Sequence, residues 1–307
     1  MSALKYADYI ISRPKPVSPE KQAEFEARKK SSSSTIESTH LMQVDSEVVK
    51  DMFYADAVWL WKGASSEKIE EPHVHDFDEV IAFIGSDQAN PKSLGGEITI
   101  WLDGRKQVID QTCLIYVPAG AAHCPVIFNR IDTPVMFTTI SPSKTYTRTV
   151  ISEEKAGTCE PKCTVVTEVA EFQGGSTPPP PRPPDSDLQG ARVMHLEDHI
   201  AKGSFYVDFV WIYKGTGQAP AVEHNHEWEE MIAMAVCDEE NPYDMGSGNM
   251  SIVLGDETYD IHSSAMVCIP KNLKHCPWKF HAVSKPTLVF TAGPTGNYTG
   301  SHRKENA

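Results

Sequence analysis

The sequence predicts an all-β chain built as two tandem barrels with short helical lead-ins. Three observations carry this. An internal repeat displaced by 151–152 residues runs through most of the chain, as DAVWLWKG (56–63) against DFVWIYKG (208–215). Within each copy, short β-branched and aromatic runs alternate with turn signals, the signature of strands. Helical periodicity is missing across those runs.

The repeat continues in order. EPHVHDFDEVIA (71–82) matches VEHNHEWEEMIA (222–233), GEITIWL (96–102) matches GNMSIVL (248–254), and VPAGAAHCP (117–125) matches IPKNLKHCP (269–277). The exits also agree, SPSKTY (141–146) with GPTGNY (293–298). A period this long is too great for a solenoid, so the copies are read as two similar domains.

Residues 1–50 form an N-terminal lead-in with one helix candidate, PEKQAEFEARKK (19–30), followed by the flexible SSSST. The first barrel spans 51–150, with DAVWLW, EVIAFI, EITIWL, CLIYVPA and PVMFTTI as its strands and LGG, LDG and NRIDTP as turns. Residues 151–190 are a linker whose GGSTPPPPRPPD (174–185) favours an extended polyproline stretch. The second barrel occupies 191–307 and turns at GSG and LGD. The lead-ins are expected to pack on the outside of the neighbouring barrel.

A chain of 307 residues buries a substantial core without disulfides. Five of its seven cysteines sit in apolar or strand-like surroundings and read as reduced, buried thiols. Cys159 and Cys163 form a C-x3-C pair with no second pair beside it, so no zinc site is read there. The net charge of −14, from 42 acids against 28 bases, argues against nucleic-acid and anionic-membrane partners. No apolar run approaches the ~18 residues a spanning helix needs. The N-terminus lacks a secretory apolar core and cleavage site, so a cytoplasmic location is expected.

The chemistry lies in two matched sets. His73-x-His75-x3-Glu79 is followed by His123, and His224-x-His226-x3-Glu230 by His275. In a strand, His73, His75 and Glu79 share one parity and converge on one side of the sheet, and the distal histidine arrives from a neighbouring strand. Three imidazoles and a carboxylate suit a divalent transition metal (Fe, Mn, Ni, Co, Cu or Zn), up to two ions per chain. The same four residues recur in the second copy while the residues between them differ, which weighs against satisfied core histidines.

At these positions the sequence resembles the cupin superfamily, whose first motif runs HxHx3–4E to a glycine and whose second reads Px4H. Here HVHDFDE leads to Gly85, with PAGAAH further on, and the second copy gives HNHEWEE and PKNLKH. The glycine before the second motif is replaced by Gln111-Thr112 and Ser263-Ser264, and no glycine follows Glu230 at the expected place. The resemblance covers roughly 56–146 and 208–298. It implies a bicupin of two double-stranded β-helix (jelly-roll) barrels. It also implies that His73, His75, Glu79 and His123 are metal ligands in one barrel, and His224, His226, Glu230 and His275 in the other.

Around the metals, Trp59, Trp61, Trp211 and Tyr213 are read either as barrel core or as walls of a substrate cavity, and Phe83 is a further wall candidate on the Glu79 parity. Cys124 and Cys276 follow the distal histidines, and strand alternation is expected to turn their thiols away from the metal. Arg105, Arg130 and Arg148 sit in turn-like contexts, and residues 206–298 hold no arginine, so no anion pocket is advertised. The small-molecule substrate is therefore expected to be apolar, aromatic or enol-type. The leading expectation is a metal-dependent dioxygenase in which Glu79 or Glu230 acts as base. The alternatives are a non-oxidative lyase, decarboxylase or isomerase, and a non-catalytic ligand-binding or scaffold protein. A homo-oligomer is compatible with the chain.

Overall fold

The computed structural model describes residues 4–20, 23, 27, 32–160, 162–169, 185–219 and 222–299. The helix expected over 19–30 and the polyproline stretch at 174–185 lie largely outside the described residues. The rest is mostly β, with curled sheets in each half, a 3-10 turn at Ala7–Tyr9 and a short α-helix, Glu153–Gly157, capped by the Ser152 side chain. Among the described residues no helix is long and apolar enough to cross a membrane.

The N-terminal half has two sheets. One runs in the order Thr164–Val166, Cys113–Val117, Glu79–Gly85, Val135–Ser141, Tyr54–Lys62, Glu37–Val44. The other runs Thr149–Val150, His73–Val74, His123–Ile131, Ser93–Leu102, Arg105–Gln111. In the C-terminal half one sheet links the equivalent strands, with Tyr206–Gln218 long enough to pair with both Thr287–Gly293 and His275–Val283. All the named pairings are antiparallel. The lead-in strand Ile10–Ile11 crosses to the far half and pairs with Val267 and Met266.

Strand alternation explains the burial. In Glu79–Gly85, Ile81 and Phe83 enter the interior of the first barrel, and Val80, Ala82 and Ile84 face the other way into a cluster shared by both halves. In Glu230–Val236, Ile232, Met234 and Val236 face the second barrel's interior, and Met231, Ala233 and Ala235 face the shared cluster. Both faces are covered, which is why these strands read as unbroken apolar runs. The outer strand Arg105–Gln111 buries only Ile109, and its other residues, Val108 among them, are exposed.

The repeated aromatic strand belongs to the seam. Val58 and Leu60 point into the first barrel, while Trp59, Trp61, Trp211 and Tyr213 join the shared cluster. Trp59 and Trp211 lie 6.2 Å apart, and the Trp211 indole donates to the Gly85 carbonyl at 3.0 Å across the halves. The four residues therefore belong to a cluster shared by both halves. They are where the two sheets meet, and the indole bond satisfies a donor buried in apolar surroundings.

The strands before each repeat are also equivalent. Glu37–Val44, inside the segment read as a lead-in, pairs with Tyr54–Lys62, and Gln189–Leu196 pairs with Tyr206–Gln218. Both carry a register shift at the same place, between His40 and Met42 and between Arg192 and Met194. The repeated Lys-Gly dipeptide has a steric cause. Gly63 and Gly215 have φ of +113° and +106°, and a Cβ would lie 2.2 Å from the Thr35 carbonyl oxygen or 2.5 Å from that of Asp187.

Candidate metal centres

The C-terminal centre draws on three elements. His275 begins the strand His275–Val283 and forms an isolated bridge with His224, while Glu230 begins the strand Glu230–Val236. The ligand atoms of His224, His226, Glu230 and His275 all lie within 4.8 Å of one another, and all four residues are buried. Glu230 Oε2 is 2.9 Å from His275 Nε2 and 3.3 Å from His226 Nε2.

Backbone carbonyls set the orientation of each ring. Nδ1 of His224 faces the Val222 carbonyl at 2.6 Å, that of His275 the Leu273 carbonyl at 2.9 Å, and that of His226 the Thr299 carbonyl. Carrying the proton on Nδ1 leaves Nε2 as a lone-pair donor, the tautomer a metal needs. The N-terminal centre repeats this. His73, His75 and His123 direct Nδ1 at the carbonyls of Glu71 (2.7 Å), Thr147 (2.5 Å) and Ala121 (3.3 Å). Glu79 Oε2 is 3.1 Å from His123 Nε2 and 3.7 Å from His75 Nε2.

The buried acceptors test whether a cation fits. Nε2 of His75, His123, His226 and His275, both Glu79 oxygens and Glu230 Oε2 are buried without a hydrogen-bond partner. Acceptors facing acceptors at this range repel unless a cation or proton lies between them, and orphaned buried polar atoms are rare. The donor chemistry, imidazole with carboxylate, is that of a divalent transition-metal site.

Protonation states agree. Burial, then the neighbouring His123, pulls His73 down to about 4, and burial with His275 pulls His224 to about 3. His75 is also lowered, chiefly by burial. Burial alone would raise Glu79 and Glu230, but the facing histidines outweigh it and hold both carboxyls below the usual range. Near neutrality these shifts favour neutral His73, His75 and His224 and ionised carboxylates, the ligating forms.

Aromatic rings wall both centres, and sequence reasoning missed them. Phe77 stacks on His75 at 4.6 Å and Trp228 on His226 at 4.0 Å. Tyr146 places its hydroxyl 3.5 Å from His73 Nε2, and Tyr298 places its own 3.1 Å from His224 Nε2. Tyr54 and Tyr206 back these tyrosines at 4.8 and 4.9 Å. A signal existed, since Tyr146 and Tyr298 end the matched exits SPSKTY and GPTGNY. Phe83 lies in the first barrel's interior cluster, as parity requires, stacked on Phe137.

Cys124 corrects an expectation. Its sulfur lies within 4.8 Å of the ligand atoms of His73 and His123, toward the centre rather than away. Alternation holds for extended backbone only, and Cys124 has φ +67° where the partner strand slips register between Ile100 and Leu102. Cys276, at φ +69°, likewise joins its barrel's interior cluster. All seven cysteines are free. Two of the acids beside the ligands have partners elsewhere: Asp78 accepts from the Ala119 amide at 2.8 Å, and Glu229 is 3.7 Å from Lys271.

The arginines are engaged. Arg130 pairs with Asp132, Arg148 with Glu70, and Arg192 with Asp208 at 2.9 Å. Arg105 reaches the carbonyls of Asp103 and Cys159 at 3.5 Å, and Arg13 lies over the Tyr243 ring. Among the described residues these are all the arginines, and each has a partner.

No family model matches the chain, and no curated protein matches it. Solved structures do. An oxalate decarboxylase studied for its substrate binding mode and a reaction specificity switch aligns with TM-score 0.51 and 13% identity, over 88% of this chain and 77% of that one. The formate complex of Lactobacillus farciminis oxalate decarboxylase aligns with TM-score 0.50 and 12% identity, over 88% and 86%. A variant of the Bacillus subtilis oxalate decarboxylase gives 0.50 and 13%, over 88% and 77%. At such identity the likeness is one of fold, and the fold is that of the cupin barrel.

Proposed function

We propose that the chain is a bicupin metalloenzyme that dioxygenates an uncharged aromatic or enol-type small molecule, with the C-terminal centre as its principal active site. One observation carries the reading: buried Nε2 and carboxylate atoms without hydrogen-bond partners converge beneath a wall of aromatic rings. His224, His226, Glu230 and His275 would hold the C-terminal ion, and His73, His75, Glu79 and His123 the N-terminal one. When bound, the ion supplies a Lewis acid that favours the ionised form of an acidic substrate hydroxyl.

The protein's own groups do the rest. Glu230, held as carboxylate, stands ready to accept the substrate's hydroxyl proton. Tyr298 offers a hydroxyl beside His224 Nε2, placed to hydrogen-bond a substrate oxygen. Trp228 and Tyr206 present apolar ring surface that packs a planar substrate and excludes water. Engagement of every described arginine supports a substrate without a carboxylate to be clamped.

A second reading, metal-dependent decarboxylation, is favoured by the fold likeness to oxalate decarboxylases. The test separates the two. Protein reconstituted with Fe2+, Mn2+, Ni2+ or Cu2+ is offered catechols, β-diketones and small dicarboxylates while O2 uptake and CO2 release are followed. Substrate-dependent O2 uptake that Glu230→Gln abolishes is expected. CO2 release from a dicarboxylate without stoichiometric O2 uptake would sink the dioxygenase reading. Arg105→Ala and Arg130→Ala are expected to leave turnover within about threefold, and a loss above about 3 kcal/mol of transition-state stabilisation with metal intact would point to a carboxylate substrate.

A further inference from the structure

The N-terminal half holds a donor set that the His3Glu pattern does not contain. His73, His123 and Cys124 bring their ligand atoms within 4.8 Å of one another, all buried, and His75, Glu79 and His123 form a second set of the same spread. His123 belongs to both. Its Nε2 is buried and has no hydrogen-bond partner, and its ring packs 4.2 Å from that of His73. The Cys124 thiol is free and sits among the apolar residues of the barrel interior. A buried thiol packs as a small apolar group and needs no polar partner. Its approach to two imidazole nitrogens, one of them orphaned, is the arrangement of a ligand.

The C-terminal half is the internal control. Cys276 follows His275 as Cys124 follows His123, with nearly the same φ. Yet the C-terminal group is complete with His224, His226, Glu230 and His275, and Cys276 is not part of it. Backbone geometry shared by the two copies thus delivers a sulfur to one donor group and leaves it out of the other.

We propose that Cys124 is a further metal ligand of the N-terminal centre, and that its sulfur, set beside His73 and His123 and added to His75 and Glu79, lets this centre take a thiophilic ion such as zinc, copper or cobalt. The C-terminal centre takes its ion through imidazole and carboxylate alone. Ligation breaks the S–H bond, forms a sulfur–metal bond and releases one proton, with no change of oxidation state. Thiolate with imidazole favours softer ions than imidazole with carboxylate does, so one chain sorts two metals between two similar barrels. The inference rests on reading both halves as metal centres.

Cobalt tests it directly, because thiolate ligation gives Co2+ an intense near-ultraviolet charge-transfer band that nitrogen and oxygen ligands do not. The full chain, freed of metal, is titrated with Co2+ and its spectrum and bound cobalt are measured. One thiolate band per chain is expected, present also in His226→Ala and Cys276→Ser, and absent in Cys124→Ser and Cys124→Ala. Those two Cys124 variants should bind N-terminal cobalt at least tenfold more weakly and keep the C-terminal ion. Two cobalt ions bound by the wild type without a thiolate band would overturn this inference and leave the metal reading of both halves standing. A band that persists in both Cys124 variants would also overturn it. No bound cobalt at all would overturn both readings. The wild-type and His226→Ala spectra decide the matter even where a Cys124 variant fails to fold.

Discussion

The two centres use the same four residues at nearly the same spacing, yet the C-terminal one is better assembled. Its four donors lie within 4.8 Å of one another, whereas the N-terminal donors fall into two triads that share His123. The carboxylate sits closer to its histidines in the C-terminal half, at 2.9 and 3.3 Å against 3.1 and 3.7 Å. The tyrosine hydroxyl follows the same order, 3.1 Å against 3.5 Å. What differs is the packing outside the ligands. Trp228 stacks closer on His226 than Phe77 does on His75. Residue identity sets which atoms can bind; the supporting rings set how nearly the site is formed beforehand, and preorganisation is what turns donors into affinity and rate.

Removing a ligand from each half should break the symmetry most sharply. His226→Ala is expected to empty the C-terminal centre, lowering bound metal by one equivalent and turnover by more than about 1000-fold, since an essential Lewis acid is worth several kcal/mol. His75→Ala should empty the N-terminal centre and leave most of the turnover. Elemental analysis with steady-state rates checks both. Equal loss of turnover in the two variants would show that the halves do not divide the work this way.

The carboxylates come next. Glu230→Gln is expected to lower turnover by about 10²- to 10⁴-fold, the usual worth of a positioned base. Glu79→Gln should cost less than tenfold on the same assay. Metal content measured alongside separates loss of the base from loss of a ligand.

The two His3Glu clusters were legible because the spacing His-x-His-x3-Glu with a distal histidine appears twice. One-strand parity is not what brings them together, since His73–Val74 and Glu79–Gly85 are separate strands in different sheets with a bend between them. Parity also ran out where both faces are buried. It put Trp59 and Trp61 on one side but could not say that this side is the seam, because Val58 and Leu60 opposite them are also covered. It failed at Cys124, whose left-handed φ lies outside the extended backbone that parity assumes. Phe77 and Trp228 had a visible signal, being aromatic residues at matched places two residues beyond His75 and His226. The charged cluster around His195 had none, since Asp208 and Tyr298 reach it from other segments.

Tyrosine replacements sharpen the comparison at a smaller scale. Tyr298→Phe is expected to lower kcat/KM about tenfold, the worth of one well-placed hydrogen bond. Tyr146→Phe should change it less than about threefold on the same basis. A larger effect at Tyr146 would mean the N-terminal centre meets the substrate.

The smallest expected effect lies behind the C-terminal centre, in a charged cluster whose buried histidine is replaced by Gln43 in the N-terminal half. His195 is fully buried, with Nε2 3.5 Å from Glu197 Oε2 and Nδ1 3.5 Å from Asp208 Oδ1. Arg192 pairs with Asp208 at 2.9 Å, His199 faces Glu197 at 3.4 Å, and Glu197 accepts the Tyr298 amide at 2.7 Å. At the matching positions the N-terminal half has Gln43 for His195 and His40 for Arg192, with Gln43 facing Asp56 as His195 faces Asp208. Burial pulls His195 down, but Asp208 and Glu197 outweigh it and hold the imidazole above its ordinary value of 6.5. A raised folded value means that the folded state holds the proton more tightly than the unfolded chain. The stabilisation is therefore full below about pH 6.5 and fades as pH rises through the folded value. His195→Gln, which copies the N-terminal residue, should lower Tm by about 2–4 °C near pH 6. The gap from wild type should narrow steadily toward alkaline pH. Thermal melts of both proteins across that range, taken metal-free so that ligand protonation is common to both, read the difference. A gap that widens with pH would mean that His195 is buried neutral and that the carboxylates do not hold its proton.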